Sequence, residues 1–485
     1  MMDCRADPRD RISALPDELL HVTLSFLDDA RDITRTAVLS HRWRHVWVHA
    51  KNLNFCSLNL KNCKTPGGFP GFVDWVLAHR GKITMDSLVI WMTQKSRAAS
   101  PEQINDWLRY AGRHVLKSLR VHKLVGGQTK DHKAAVVLLP TICRTSCILL
   151  SPSNNMNILQ LPALATASYE ALTELYLYSP SFSEEGPVLG DFVTSCCHSL
   201  RRLSISCPKA LFQLVLRSEA LQELEIYWAF DMRTLDVTAP NLRVVRLDLC
   251  FRHNPIQMVI NDNKVARIVA PRLEVIRISY FRNVPRPEYD IHDLTSVRRL
   301  ENIQLDMHGK YCHDTDQMLG LWFLAKCPGV QHDEVKLEHH WESDVPDKSD
   351  LVDLTKEGGN AAPFANVKSM FVTAICGFPA GHLVSRILTE LKHFSPWFVQ
   401  KASGAGSTLG DFVMFCCPRL LQLQIVGAKT KGILQLEFHT VALEELDMFF
   451  GDLQMLDVTA PKLRVIKLNM CPRMPILFGI KNAVQ

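Results

Sequence analysis

Three hexapeptides set 21 residues apart, LRRLSI at 200, LQELEI at 221 and LRVVRL at 242, constrain this chain of 485 residues more than any other feature. The same L-x-x-L-x-L pattern, with Ile, Val and Met standing in for Leu, recurs in MDSLVI (85–90), LKSLRV (116–121), LTELYL (172–177), LEVIRI (273–278) and LENIQL (300–305). The last positions of each hexapeptide alternate, as a strand with one buried face does. A unit of this length cannot cover its own apolar face, so each must stack on its neighbours. LFQLVL (211–216) and MRTLDV (232–237) fit the pattern midway between hexapeptides. Those coils should therefore carry a second strand where others carry a helix. One such helix is predicted in SPEQINDWLRYAGRH, with Ser100 as its cap and Pro101 in its first turn.

The pattern is a leucine-rich-repeat signal, and it predicts a solenoid passing from α/β coils to β/β coils. A larger duplication overlies it. LGDFVTSCC (189–197) returns as LGDFVMFCC (409–417), and LDVTAPNLRVVRLDLC (235–250) returns as LDVTAPKLRVIKLNMC (456–471). The chain thus reads as two related blocks, 51–340 and 364–485, joined by an acidic, then Gly/Ala/Pro-rich linker or exposed loop at 341–363. MPILFGIKNAVQ at the end parallels NPIQMVINDNKV, with nothing after it to match VAPRLEVIRISYF (269–281), so the second block reads as truncated. An uncapped final coil should fray, self-associate or mark an incomplete gene product; slow amide exchange throughout 456–480 would refute the fraying.

With 47% apolar residues and 22% charged, the composition is that of a folded chain. A formal charge of +5 over 55 basic and 50 acidic side chains leaves no dense Lys/Arg block, so nucleic acid is not an expected partner. No apolar run approaches the ~18 residues of a membrane span. The N-terminus, MMDCRADPRDR, lacks the apolar core of a signal peptide, which points to the cytosol or nucleus and to reduced thiols among the fifteen cysteines.

Residues 11–50 read as three short helices. In ISALPDELLHVTLSFL, Pro16 suits the first helical position, Asp17 and Glu18 suit the positive end of the helix, and Leu19, Leu20, Leu24 and Leu27 follow helical spacing. Asp28 and Asp29 can cap a second helix, and Ser40 can cap a third that sets Trp43 and Trp47 one turn apart as an aromatic ridge. About forty residues cannot bury all of these side chains, so part of the set must meet the rest of the chain or a partner. ISALPDELL, LSFL and RTAVLSHRWRHVW together resemble an F-box, the module that binds the Skp-type adaptor of cullin-based ubiquitin ligases. The resemblance places Leu15, Pro16, Leu19, Leu20, Val38, Leu39, Trp43 and Trp47 at adaptor-binding and core positions. Thr23 departs from the aliphatic residue usual there, and a buried hydroxyl at that position would cost about 1 kcal/mol of apolar burial. His41, Arg42, Arg44 and His45 are expected to form a solvated polar face.

Over its whole length the chain resembles plant F-box proteins with leucine-rich repeats, whose fold would be α+β: a three-helix F-box followed by the solenoid. The function this implies is a substrate receptor of a Skp–cullin–F-box ubiquitin ligase, with the adaptor, the cullin behind it and an unidentified target protein as partners. No membrane, metal or cofactor is called for, and no catalytic residue. The alternatives are a scaffold that binds the adaptor without forming a working ligase, and a receptor that needs a small ligand. Candidate target-binding residues lie between the apolar strand positions: Tyr176, Tyr178, Tyr227, Trp228, Arg246, Arg277 and Tyr280, with Ser204, Glu225 and Asp248 on the same ladder. Glu225 and Arg246 can equally form a cross-strand ion pair, an order that Asp447 and Lys467 repeat. His308, Cys312, His313, His332, His339 and His340 lack paired zinc-ligand spacing. Gly404, Gly406 and Gly410 are wrongly spaced for a phosphate loop and read as a flexible entry to a helix.

Overall fold

The computed structural model describes residues 15–57, 66–92, 99–122, 135–151, 157–183, 188–251, 264–279, 287–301, 303–306, 327, 335–340, 369–375, 419–428, 434–450, 453–470 and 477–481. The expected linker, Tyr280, His308, Cys312, His313, His332 and the glycines near 404–410 lie outside them, and of His339 and His340 only the backbone is described. The chain divides into two compact units, Met1–Leu242 with Cys250–Ala270, and Arg243–Leu249 with Pro271–Gln485.

The first unit begins with short helices α1 (Asp17–Ser25), α2 (Ala30–Arg35) and α3 (Trp43–Val46). Pro16 sits one residue before α1, at the cap, and Asp17 and Glu18 occupy the first turn. The Asp29 side chain accepts the Arg31 N–H at the start of α2, and Ser40 Oγ accepts the Trp43 N–H at 3.4 Å, so both expected caps form. Longer helices α4 (Gly68–Arg80) and α5 (Pro101–His114) follow. α5 starts with a full capping box: Ser100 Oγ accepts the Gln103 N–H, and Gln103 reaches back to the Ser100 N–H.

Parallel strands then stack in the order Asn52–Cys56, Met85–Trp91, Val115–His122, Cys147–Ser151, Glu174–Tyr178, Arg202–Ser206, Glu223–Tyr227. Every hexapeptide of this stretch supplies one of them. Leu175, Leu177, Leu203, Ile205, Leu224 and Ile226 are buried, because the two later apolar positions of each hexapeptide face the same interior. The two midway segments form strands Gln213–Arg217 and Thr234–Thr238, which pair in parallel on a second sheet that Val265–Val269 extends. Their buried residues, Leu214, Leu216, Leu235, Val237, Ala266 and Ile268, close the core from the other side. Helix α6 (Leu189–Cys196) lies against that second sheet.

In the second unit, Val244–Asp248, Val275–Ser279 and Arg299–Glu301 pair in parallel. LENIQL, expected as one strand, is two, Arg299–Glu301 and Ile303–Asp306. The latter begins a parallel sheet through Val335–His340, Ser369–Ile375, Gln422–Ala428, Glu445–Phe450 and Val465–Met470. Leu434–His439, Leu453–Thr459 and Leu477–Lys481 form a second one.

Leu477–Lys481 pairs with the strand that repeats Thr234–Thr238, as Val265–Val269 pairs with Thr234–Thr238 itself. The path from Thr234 to its partner Val265 is 31 residues, whereas that from Met455 to Leu477 is 22. The connection is shorter and the pairing is kept. No described helix is long and apolar enough to cross a membrane.

Candidate interaction surfaces

The N-terminal helices divide their apolar residues between two destinations. Leu20, Leu24, Ala30, Ile33, Trp43, Val46 and Trp47 are buried. Trp47 stacks on Trp75 of α4 with ring centroids 5.7 Å apart, and Trp75 in turn stacks on Phe72, so this ring column fastens the helices to the strand-bearing part of the unit. Leu20, Trp43 and Trp47 are therefore core residues in the free chain; the expected aromatic ridge faces inward. Facing solvent instead are Leu19 (49% exposed), Val22 (51%), Phe26 (79%), Val38 (85%) and Leu39 (64%), with Pro16 exposed and Leu15 half-buried.

Thr23 is also exposed, against expectation, and its hydroxyl donates to the Leu19 carbonyl at 2.9 Å. It therefore forfeits no apolar burial within the chain. Arg42 Nε donates to Asp17 Oδ1 at 2.8 Å, tying the entry of α3 to the start of α1. His41, Arg44 and His45 face solvent.

The ladder on the open face of the larger sheet is more engaged than its sequence suggests. The Tyr176 hydroxyl donates to Glu174 at 3.1 Å and accepts from Arg202, which also pairs with Glu223 at 2.7 Å. That network lifts the Arg202 pKa, chiefly through its bonds to Glu223 and Tyr176. Arg277 pairs with Asp248 at 2.7 Å, and Ser279 donates to the same carboxylate. Ser204 is buried, which removes it from the exposed set. Tyr227 and Arg246 are half-buried, while Tyr178 (40%) and Trp228 (45%) stand open.

Trp228 has φ of 54°, and Ser179 and Cys207, which end the neighbouring strands at the same register, have φ of 52° and 50°. Three non-glycine residues in left-handed conformation thus line one corner, joined by Ser179 N–H to Ser206 O (2.7 Å) and Cys207 N–H to Tyr227 O (2.8 Å). An exposed tryptophan held in a costly conformation is the feature of this face that spacing alone did not reveal. Phe449, the second-unit counterpart of Tyr227, is 51% exposed.

The described cysteines are free thiols. Burial raises the Cys143 and Cys197 pKa values and pushes that of Cys327 up to about 12, which keeps these thiols protonated near neutral pH. Among the described residues, no group of three or more His, Cys, Asp or Glu is placed to hold a metal ion.

No family model matches the chain. Over 283 residues it is 54% identical to F-box/LRR-repeat protein 25 of Arabidopsis thaliana, covering 56% of this chain and 85% of that protein. An F-box/FBD/LRR-repeat protein and an F-box/LRR-repeat protein of the same plant are each 25% identical, over 60% and 61% of this chain. The chain spans 65% and 57% of the lengths of those two, and 47% of another Arabidopsis F-box/FBD/LRR-repeat protein. On the first of these matches, the chain belongs to the F-box/LRR-repeat proteins.

Proposed function

We propose that the protein is the substrate-recognition subunit of a Skp–cullin–F-box ubiquitin ligase in the cytosol or nucleus. Residues 11–50 act as a three-helix F-box, and 51–340 and 364–485 as two leucine-rich-repeat solenoid blocks joined by 341–363. The observation that carries the reading is the division of apolar residues in the N-terminal helices. Trp43, Trp47 and Leu20 hold the module together, while Leu19, Val38 and Leu39, flanked by Leu15 and Pro16, offer an apolar surface that a soluble chain keeps only to cover with a partner. The adaptor covers that surface and links the chain to the cullin. Tyr178, Tyr227 and Trp228, with Tyr176, contact the target, and Arg246 of the second unit is a further contact. Ubiquitin transfer is then a matter of tethering: the receptor raises the effective concentration of target lysines near the charged conjugating enzyme, with no catalytic residue of its own.

The test is adaptor binding by the full chain and two variants. Val38→Asp with Leu39→Asp should leave the unfolding midpoint within about 0.5 kcal/mol of the parent and abolish binding, because both side chains already face water. Trp47→Ala should cost about 3–5 kcal/mol of stability and lose binding only through unfolding of the module. Undiminished adaptor binding by the double variant would overturn the assignment of the surface. Adaptor binding without target ubiquitination in the presence of cullin would favour a scaffold.

A further inference from the structure

α4 and α5 pack along a seam whose two ends are treated differently. Toward its N-terminal end, the Asp74 carboxylate accepts from Trp107 Nε1 and Gln103 Nε2, both at 2.6 Å. At the other end Arg80 is 1% exposed, and Nε, Nη1 and Nη2 all lack a hydrogen-bond partner. The buried Tyr110 hydroxyl lies beside it, near enough to steady the guanidinium charge but outside hydrogen-bond geometry. Asp74 cannot serve Arg80, being six residues back on α4, about 9 Å along the axis, and already holding two donors. The nearby acids on α5 and the next strands are taken too, Asp106 by Arg109 and Asp86 by Lys117.

A guanidinium out of water with only a tyrosine oxygen beside it, and no carboxylate, is a costly arrangement in a protein interior. Next to Tyr110, around His114, the charge is of one sign. His114 lies 4.6 Å from the Tyr110 ring, and the charged side chains acting on it are Arg113, Lys82 and Arg144. All three are exposed, and the Arg144 N–H donates to Gly112 O, which seats that residue at the end of α5. Cations at helix C-termini are ordinarily explained by the helix dipole, an account that suits Arg113 and His114. It does not suit Arg80, whose nitrogens reach no carbonyl.

We propose that Arg80 and Tyr110 form the floor of an oxyanion site at the end of the α4/α5 seam, which takes a multiply charged anion of the phosphate class drawn in by Lys82, Arg113 and Arg144. Five donors in a planar fork suit such an anion, and three further cations favour more than one negative charge. The site is independent of adaptor docking and stands or falls separately from it.

The experiment is thermal unfolding of the full chain at constant ionic strength in chloride, acetate, sulfate or phosphate, for the parent, Arg80→Met, Tyr110→Phe and Lys82→Gln with Arg113→Gln. Phosphate and sulfate should raise the parent's midpoint saturably, by about 2–4 °C, and acetate should not. Arg80→Met should be at least as stable as the parent in chloride, having lost a buried unpaired charge, and should fall below it in saturating phosphate. Tyr110→Phe should weaken the response, and the Lys82/Arg113 variant should shift it to higher phosphate. A response that survives in Arg80→Met would place the anion on the outer surface and overturn the proposal. No saturable response in the parent would mean that water satisfies Arg80, and an equal response to acetate would rule out the phosphate class.

Discussion

Ala210 shows how much a single residue can depend on its backbone. Its φ is 55°, a region where the side chain of an L-residue crowds the following carbonyl. Its N–H donates to Asp231, which helps hold the conformation in place. Replacing alanine by glycine ordinarily destabilises a fold through the freedom glycine has in the unfolded chain. Here relief of crowding outweighs that loss, and Ala210→Gly should stabilise the first unit by about 0.5–1 kcal/mol. A denaturant titration showing an unchanged or lower midpoint would contradict it. None of these left-handed positions was legible in the sequence, because Ser179, Cys207, Ala210 and Trp228 carry none of the Gly or Asn signals by which such conformations are read. For the same reason Trp228 entered as one ladder residue among several, when its strain and its exposure together set it apart.

At the scale of the element, strands were the most readable part of the chain. Alternation names both the strand and its inward face, and Leu203/Ile205 and Leu224/Ile226 fall where LRRLSI and LQELEI put them. Caps were equally legible, since Ser100 and Gln103 are separated by the spacing the capping box needs. What pattern could not show is how closely elements approach. The LGDFV motif looked in its second copy like a flexible entry to a helix, yet in the first copy Gly190 lies inside α6 and is pressed against the next coil. A Cβ there would fall well inside contact distance of the Val215 carbonyl oxygen, which is backbone and cannot swing aside. Gly190→Ala should therefore destabilise the unit by about 1–3 kcal/mol, even though alanine is the better helix former. A Gly190→Ala protein as stable as its parent by calorimetry would show that the helix can shift without loss. The inward turn of Trp43 and Trp47 was hidden for a related reason: helical spacing put them on one face, but only the ring of Trp75, contributed from α4, decided that the face was covered.

Across the whole molecule, the cysteines make stability depend on alkaline pH. Burial raises the pKa of Cys143, Cys196, Cys197 and Cys327, and of Tyr169, whose hydroxyl donates to the Pro140 carbonyl. In the unfolded chain these thiols ionise near the ordinary value of about 8.5, so above it the unfolded state has released protons that the folded state still holds. Their contribution is complete below that pH and is lost as pH climbs toward the folded values, about 12 for Cys327. Unfolding midpoints should hold level from pH 7 to 8 and decline from about pH 9 upward, and thiol-blocking reagents should label these positions only as fast as the protein opens. A midpoint that stays flat to pH 10.5 would mean that these thiols are solvated in the fold.

The shortened connection before Leu477–Lys481 bears on how such a chain changes over generations. Nine fewer residues link that strand to its partner than in the first copy, and the pairing is intact. Length is thus absorbed in the bends while the rungs keep their step, which gives mutation two separate dials. Insertions and deletions in the bends alter the rim at little cost, and gain or loss of a whole turn lengthens or shortens the row of side chains without asking any rung to find a new neighbour. A lineage built this way can diversify what it recognises far faster than it redesigns what holds it together.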